Sequence, residues 1–147
     1  HSKKDEYCLL DWKKFWWRSF VVWWIEDWEN YLEAAKIETI EETWYNDFWE
    51  IKVLDWETHT NFYAEHKWVN RYSIEKYVFI KLNSIQNIWV DSEEVKNHDF
   101  VWVKKEEVEK FLNLNNNLYN WRLFLHWIQE DEEYLKTLDT FKWYIND

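Results

Sequence analysis

The sequence of 147 residues contains no glycine, no proline and no methionine. At ordinary frequencies of about 7% glycine and 5% proline, a chain of this length carries roughly ten glycines and seven prolines. Turns and helix ends use backbone conformations with positive φ, which glycine adopts without steric cost. A mixed fold is therefore hard to build from this composition, unless other residues occupy those positions. Tryptophan, in contrast, occurs 15 times.

Cysteine, long apolar runs and positive charge are also scarce. A single cysteine, Cys8, excludes an internal disulfide and fits a reducing compartment, so we expect a cytoplasmic location. No apolar run approaches 18 residues, so no membrane span is expected. The net charge of −11 argues against a broad nucleic-acid surface. Hydrophobic residues make up 47% and charged residues 32%, as expected for a globular domain with a real core.

The sequence predicts a helix over residues 30–43, from an N-cap signal and a stripe of apolar or small residues. Asn30 followed by Glu33 is typical of a helix N-cap with its return partner. Apolar or small residues then recur at helical spacing and predict a narrow packing stripe. The stripe consists of Leu32, Ala35 and Thr39.

Three carboxylates fall within one turn of this helix: Glu38, Glu41 and Glu42. Residues three and four apart on a helix are neighbours, so the three side chains share one patch. Like charges at that spacing repel one another, and a cation bound among them makes the electrostatic energy of the cluster favourable. Hard divalent ions such as Mg²⁺ prefer oxygen ligands. A solvated acidic helix face is the alternative interpretation of the same spacing.

The remaining elements are predicted from periodicity and composition. Apolar, β-branched and aromatic runs favour strands, and apolar residues at 3.6-residue spacing favour helices. Strands are predicted within residues 6–12, 19–25, 49–54, 57–67, 72–82, 100–103 and 140–147, and helices within 104–112 and 118–138, with an asparagine-rich linker at 113–117.

The segment of residues 23–45 resembles the Nudix box, G-x5-E-x7-R-E-U-x-E-E-x-G-U, where U is a bulky aliphatic residue. All four acidic positions match at the right spacing, at Glu29, Glu38, Glu41 and Glu42. Tryptophan stands at both glycine positions, Trp23 and Trp44, and Ile37 stands at the arginine. The resemblance implies an α/β fold, a Nudix-like α/β/α sandwich with a mixed sheet. It also implies metal-dependent hydrolysis of a nucleoside diphosphate linked to another moiety, with a nucleotide-derived small molecule as substrate.

The resemblance further implies roles for particular residues. Glu38, Glu41 and Glu42 would be the catalytic ligands of Mg²⁺ or Mn²⁺, and the arginine that orients a box carboxylate in the family is missing. The positions that support the box are Trp23, Glu26, Glu29, Ile37 and Trp44. Candidates for a later carboxylate that acts as general base are Glu93, Glu94 and Asp99, and candidates for phosphate contacts are Lys67 and Arg71. A solvated surface acid or base is the alternative for each of these later candidates.

Residues 1–117 are interpreted as the core domain. Residues 118–147 are interpreted as a helix and tail that pack on the core or belong to a larger parent protein. Segments 12–26 and 59–72 are similar to Nudix modules within some bacterial leucyl-type aminoacyl-tRNA synthetases. The alternative function is therefore a catalytically impaired binding or structural module, with a parent synthetase or a second copy of the chain as partner.

A further alternative concerns the tryptophans themselves. Trp23, Trp28 and Trp44 all stand where Nudix proteins commonly have glycine. We therefore hypothesise that many tryptophans represent glycines, either through a genetic code in which UGA encodes glycine or through deliberate recoding of the sequence.

Overall fold

The computed structural model describes residues 5–25, 29–64, 67–86 and 97–144. In chain order the elements are β1 (Glu6–Trp12), β2 (Arg18–Ser19), α1 (Tyr31–Thr43), β3 (Phe48–Ala64), β4 (Val69–Leu82), β5 (His98–Lys104), α2 (Lys105–Phe111) and α3 (Asn115–Tyr144). Within these ranges, none of the helices has the length and apolar character needed to cross a membrane.

The strands form two sheets. In the first sheet β1 lies between β2 and β5, and in the second β3 pairs with β4 as a long hairpin. Leu10 lies opposite Ser19 on one side of β1, and Cys8 lies opposite Trp102 on the other. All ladders among the described residues are antiparallel, so the parallel pairing of the expected mixed sheet is not among them.

Two strand predictions differ from the structure in extent. The separate strands predicted at 49–54 and 57–67 are one strand, β3, because an irregularity in the ladder between Val53 and Glu57 absorbs the break in alternation. The strand predicted at 19–25 is reduced to the short β2. The backbone N–H of Phe20 donates to Asn117 Oδ1 at 3.1 Å, so the chain leaves the ladder there for a side-chain partner.

The predicted closing strand is wrong, because α3 continues through residues 140–144. The aromatic residues of this segment favoured a strand, but extending an existing helix costs less than starting a new element. The helix also begins earlier than predicted, at Asn115, inside the segment interpreted as an asparagine-rich linker. Residues 145–147 lie outside the described ranges.

The hydrophobic core is formed where α2 and α3 pack on the first sheet and meet the hairpin. Trp121 of α3 is 1% exposed, and the ring of Tyr7 from β1 meets it edge-on at 4.8 Å between centroids. Aromatic pairs of this kind contribute about 0.5–1.5 kcal/mol beyond the area they bury. Val108 of α2 and Leu112, which directly follows the helix, are buried in this core.

Positive φ angles occur at three non-glycine residues of the described chain, and all three are tryptophans. The angles are 57° at Trp16, 62° at Trp44 and 54° at Trp68. A residue with a Cβ pays about 1–2 kcal/mol in this left-handed region. Tryptophan accounts for only 15 of 147 residues, so chance placement does not explain three coincidences. The dihedral angles support the hypothesis that these tryptophans occupy glycine positions.

We predict that Trp16→Gly and Trp68→Gly each stabilise the protein. Both indoles are more than 80% exposed, so their removal loses little packing. Relief of about 1–2 kcal/mol of backbone strain exceeds the roughly 0.4–1 kcal/mol of added chain entropy in the unfolded state. We therefore expect a gain of about 0.5–1 kcal/mol each in the free energy of unfolding, measured by urea denaturation.

Trp49→Gly is the matched control, because Trp49 is 63% exposed in β3 and has no positive φ angle for glycine to relieve. Glycine in a strand weakens it, so this variant should lose stability. Equal losses in all three variants would contradict the prediction.

Candidate functional site

Helix α1 begins as the sequence predicts. The Asn30 side chain accepts hydrogen bonds from the backbone N–H groups of Leu32 at 2.9 Å and Glu33 at 3.4 Å. These bonds satisfy two of the N–H groups that a helix start leaves without a partner. The carboxylate of Glu33 instead binds Lys36 Nζ at 2.7 Å, so it supports the helix surface one turn later.

The helix divides its three clustered carboxylates between two environments. Each residue advances about 100° around the axis, so Glu42 shares the buried side of the helix with Ala35, while Glu38 and Glu41 lie progressively further round. Glu42 is 4% exposed, whereas Glu38 and Glu41 are partly exposed. The carboxylate patch predicted from the spacing therefore has one member inside the protein and two at its surface.

The buried Glu42 meets His98, the first residue of β5. His98 is fully buried, and its Nε2 lies 3.2 Å from the backbone oxygen of Glu42 and 3.7 Å from Oε2. The sequence offers no spacing signal for a contact across 56 residues. The apolar run at 100–103, which begins two residues after His98, was the available sign that this segment is buried.

The end of α1 is anchored on the same strand. Trp44 takes the left-handed conformation, and its backbone N–H donates to the carbonyl of Ile40 at 2.8 Å. The next residue, Tyr45, is buried, and its hydroxyl accepts from Trp102 Nε1 at 2.9 Å. The indole Nε1 of Trp44 is buried without a hydrogen-bond partner among the described residues. The left-handed backbone and the unpaired indole N–H both cost free energy at a tryptophan. Glycine has neither a Cβ atom nor an indole, so it avoids both costs.

The described residues that are expected to support the box lie before α1, within it and at its end. Glu29 is exposed just before the N-cap, and Trp23 is partly buried in the irregular segment after β2. Ile37 is 54% exposed, so the position of the missing arginine faces solvent. Glu26 lies outside the described residues.

The later candidates are dispersed. Asp99 is exposed and forms an ion pair with Lys13, at 2.8 Å from Nζ to Oδ1. Lys67 is exposed in the hairpin turn, whereas the Arg71 guanidinium lies over the ring of Trp24 at 5.4 Å from its centroid. Arg71 is therefore the candidate that the structure brings to the box segment. Glu93 and Glu94 lie outside the described residues.

The described residues contain no group of three histidine, cysteine, aspartate or glutamate side chains arranged to hold a metal ion. Mg²⁺ commonly uses only one or two carboxylates and takes its other ligands from water and substrate phosphates. Glu38 and Glu41, one turn apart and partly exposed, offer that donor set. The chemistry of these two side chains therefore fits a hard divalent ion, while Glu42 stands behind them beside His98.

A second polar cluster joins the hairpin to α3, and no spacing in the sequence predicted it. The Tyr77 hydroxyl lies 2.7 Å from Thr58 Oγ1, donates to Glu75 at 2.7 Å and accepts from Asn120 Nδ2 at 2.5 Å. The indole of Trp56 donates to Asn120 Oδ1 at 3.2 Å. Burial raises the pKa of Tyr77 above its ordinary value. The cluster satisfies its own hydrogen bonds, so it serves to hold α3 on the hairpin.

The fold is similar to that of a Listeria monocytogenes protein, known from a crystal structure and provisionally named a NUDIX hydrolase. The match has a TM-score of 0.61 and 22% sequence identity, and it covers 86% of this chain and 85% of the Listeria chain. The expected fold class, a Nudix-like α/β fold, is confirmed. No family model and no curated protein sequence matches the chain.

Cys8 is predicted to be unreactive in the folded protein. Burial raises the pKa of its thiol to about 12, so the nucleophilic thiolate is scarce near neutral pH. The thiolate fraction of Cys8 near neutral pH is therefore far smaller than that of an exposed cysteine. Alkylation of the native protein by iodoacetamide, followed by mass spectrometry, should be slow and should accelerate strongly in urea. Equal rates in the native and unfolded protein would contradict this prediction.

Proposed function

We propose that this chain, which has a Nudix-like fold, is a metal-dependent hydrolase that cleaves a nucleoside diphosphate linked to another moiety. The observation that carries the proposal is the position of α1. The helix spans Tyr31–Thr43, and it presents Glu38 and Glu41 at the surface with Glu42 behind them, at the spacing of the Nudix box. The capped start and left-handed end of the helix fix where these carboxylates stand.

In this proposal Glu38 and Glu41 would hold Mg²⁺ or Mn²⁺. A bound divalent ion supplies charge neutralisation at the phosphates and a more acidic water. The reaction forms a bond from water oxygen to phosphorus and breaks the anhydride P–O bond. A carboxylate accepts the proton of the water, and the second phosphate leaves with the bridging oxygen.

Arg71 is the proposed phosphate contact. Its guanidinium stacks on Trp24, so the cation lies next to the segment that leads into α1. A guanidinium matches phosphate geometry through paired N–H donors, and stacking on a ring limits its freedom before the substrate binds. The exposed Lys67 is a second candidate from the same hairpin.

We predict that Glu41→Gln and Glu38→Gln abolish most of the turnover. Amide side chains retain the size but lose the charge that a divalent ion requires. The loss should be at least the 10–100-fold that removing an outer-shell partner of a metal site costs. The measurement is release of nucleoside monophosphate from a panel of nucleoside diphosphate derivatives, with Mg²⁺ or Mn²⁺, resolved by chromatography.

Glu33→Gln is the matched control, because Glu33 is an exposed acid on the same helix that already pairs with Lys36. It should retain full turnover. The panel is run on the chain as written and on a version with glycine at positions 23, 28 and 44, so that an indole blocking the box is not mistaken for absence of activity.

A catalytically impaired binding module is the rival function, and the exposed Ile37 at the arginine position favours it. Folded protein that binds nucleotide in both versions but never releases a product would support the rival and contradict the hydrolase.

A further inference from the structure

We propose that His98 is a positioning residue for Glu42, and that it supplies from β5 the orienting contact that Ile37 cannot supply from α1. The inference rests on the proposed function, since it assigns a task within the same site. It concerns a residue 56 positions away from the box helix in sequence.

The end of α1 leaves backbone carbonyls that need a hydrogen-bond donor. The backbone carbonyl of Glu42 is among the last four of the helix, which have no following helical N–H as partner. The last turn of α1 contains no basic residue. His98 Nε2 lies 3.2 Å from this carbonyl oxygen. Because a carbonyl can only accept, Nε2 carries the hydrogen, and the imidazole caps the helix end.

The side-chain carboxylate of Glu42 lies beside the same imidazole. The nitrogen that caps the helix also lies 3.7 Å from Glu42 Oε2, and both side chains are buried. One ring nitrogen therefore faces the backbone and the side chain of the same glutamate. This geometry restrains the helix end and places the imidazole next to the Glu42 carboxylate, at a distance that suits an electrostatic contact rather than a hydrogen bond.

His98 belongs to a strand that is paired with β1 along its length. His98 lies opposite Trp12 in the ladder between β1 and β5, and the two rings are 4.9 Å apart between centroids. Its neighbour Asn97 accepts a backbone hydrogen bond from Lys13 at 3.0 Å. A side chain on a paired strand is held in position more precisely than a long side chain on an exposed helix face.

Ile37 shows why such a contact is needed here. An arginine at this position would donate charge-assisted hydrogen bonds to a box carboxylate, whereas isoleucine has no donor, and its side chain is 54% exposed. The imidazole of His98 meets Glu42 from outside α1, at 3.2 Å from its backbone oxygen.

The test is a double-mutant cycle on Mn²⁺ affinity without nucleotide, measured from the electron paramagnetic resonance signal of free Mn²⁺. His98→Leu should weaken binding by about 10–100-fold, because it disturbs Glu42, which stands behind the proposed ligands Glu38 and Glu41 as their outer-shell partner. His98→Gln keeps a donor and should stay within a few-fold of the parent. In a Glu42→Gln background, His98→Leu should have no further effect, because the residue through which it acts is already changed.

The matched control is His126→Leu, because His126 is a surface histidine of α3 that pairs with Glu130. This variant should not change the affinity. Equal losses for His98→Leu and His98→Gln, or an unchanged loss in the Glu42→Gln background, would show that His98 is merely structural and would overturn the proposal.

A second readout needs neither metal nor activity. In the ¹⁵N-labelled metal-free protein, long-range proton–nitrogen correlations of the His98 ring should show the hydrogen on Nε2. A ring with the hydrogen on Nδ1 alone would overturn the positioning proposal, even if His98→Leu fails to fold. Absence of Mn²⁺ binding in the parent protein, with the Nε2–H form present, would count against the proposed metal-dependent function and leave the positioning contact established.

Discussion

The contact between Glu42 and His98 is the constraint on which the candidate site depends. The two residues are the ionisable members of the buried polar set in the described chain. A buried polar group without a partner is expensive, and removing one member of a pair leaves the other desolvated at a cost of about 1–3 kcal/mol. Since α1 ends at Thr43 and β5 begins at His98, this contact determines where the helix meets the first sheet.

The helix also reaches the second sheet, so the site depends on both. At its start, Tyr31 lies under Lys76 of β4, at 4.7 Å from Nζ to the ring centroid. At its end, Tyr45 and Glu42 contact β5. The two sheets share no ladder among the described strands, so side chains of the helices connect them. The relative position of the exposed carboxylates and Arg71 therefore follows from helix packing rather than from strand pairing.

Helix α3 makes the other connection between the sheets. Phe124 packs against Tyr7 of β1 at 5.9 Å and against Phe79 of β4 at 5.2 Å between ring centroids. The Asn120 hydrogen bonds to Tyr77 lie beside this aromatic core and fix the rotation of α3 over the hairpin. Aromatic area supplies the stability of this junction, and the polar cluster restricts its geometry, because each buried donor there needs its particular acceptor.

The sequence by itself determined the local features. Asn30 indicated the start of α1 because a short polar side chain caps a helix from the adjacent residue, and the αL position at Trp44 followed from the family glycine. Strand β5 and helix α2 followed from local periodicity, and the box spacing indicated the fold that the comparison confirmed. Only the tertiary structure decided that Glu42 is buried while Glu38 and Glu41 are not, that His98 meets it, and that α3 continues through residues 140–144. Those outcomes depend on contacts between distant segments. Helix propensity and residue spacing report only local interactions, so they do not predict a contact between residues 56 positions apart.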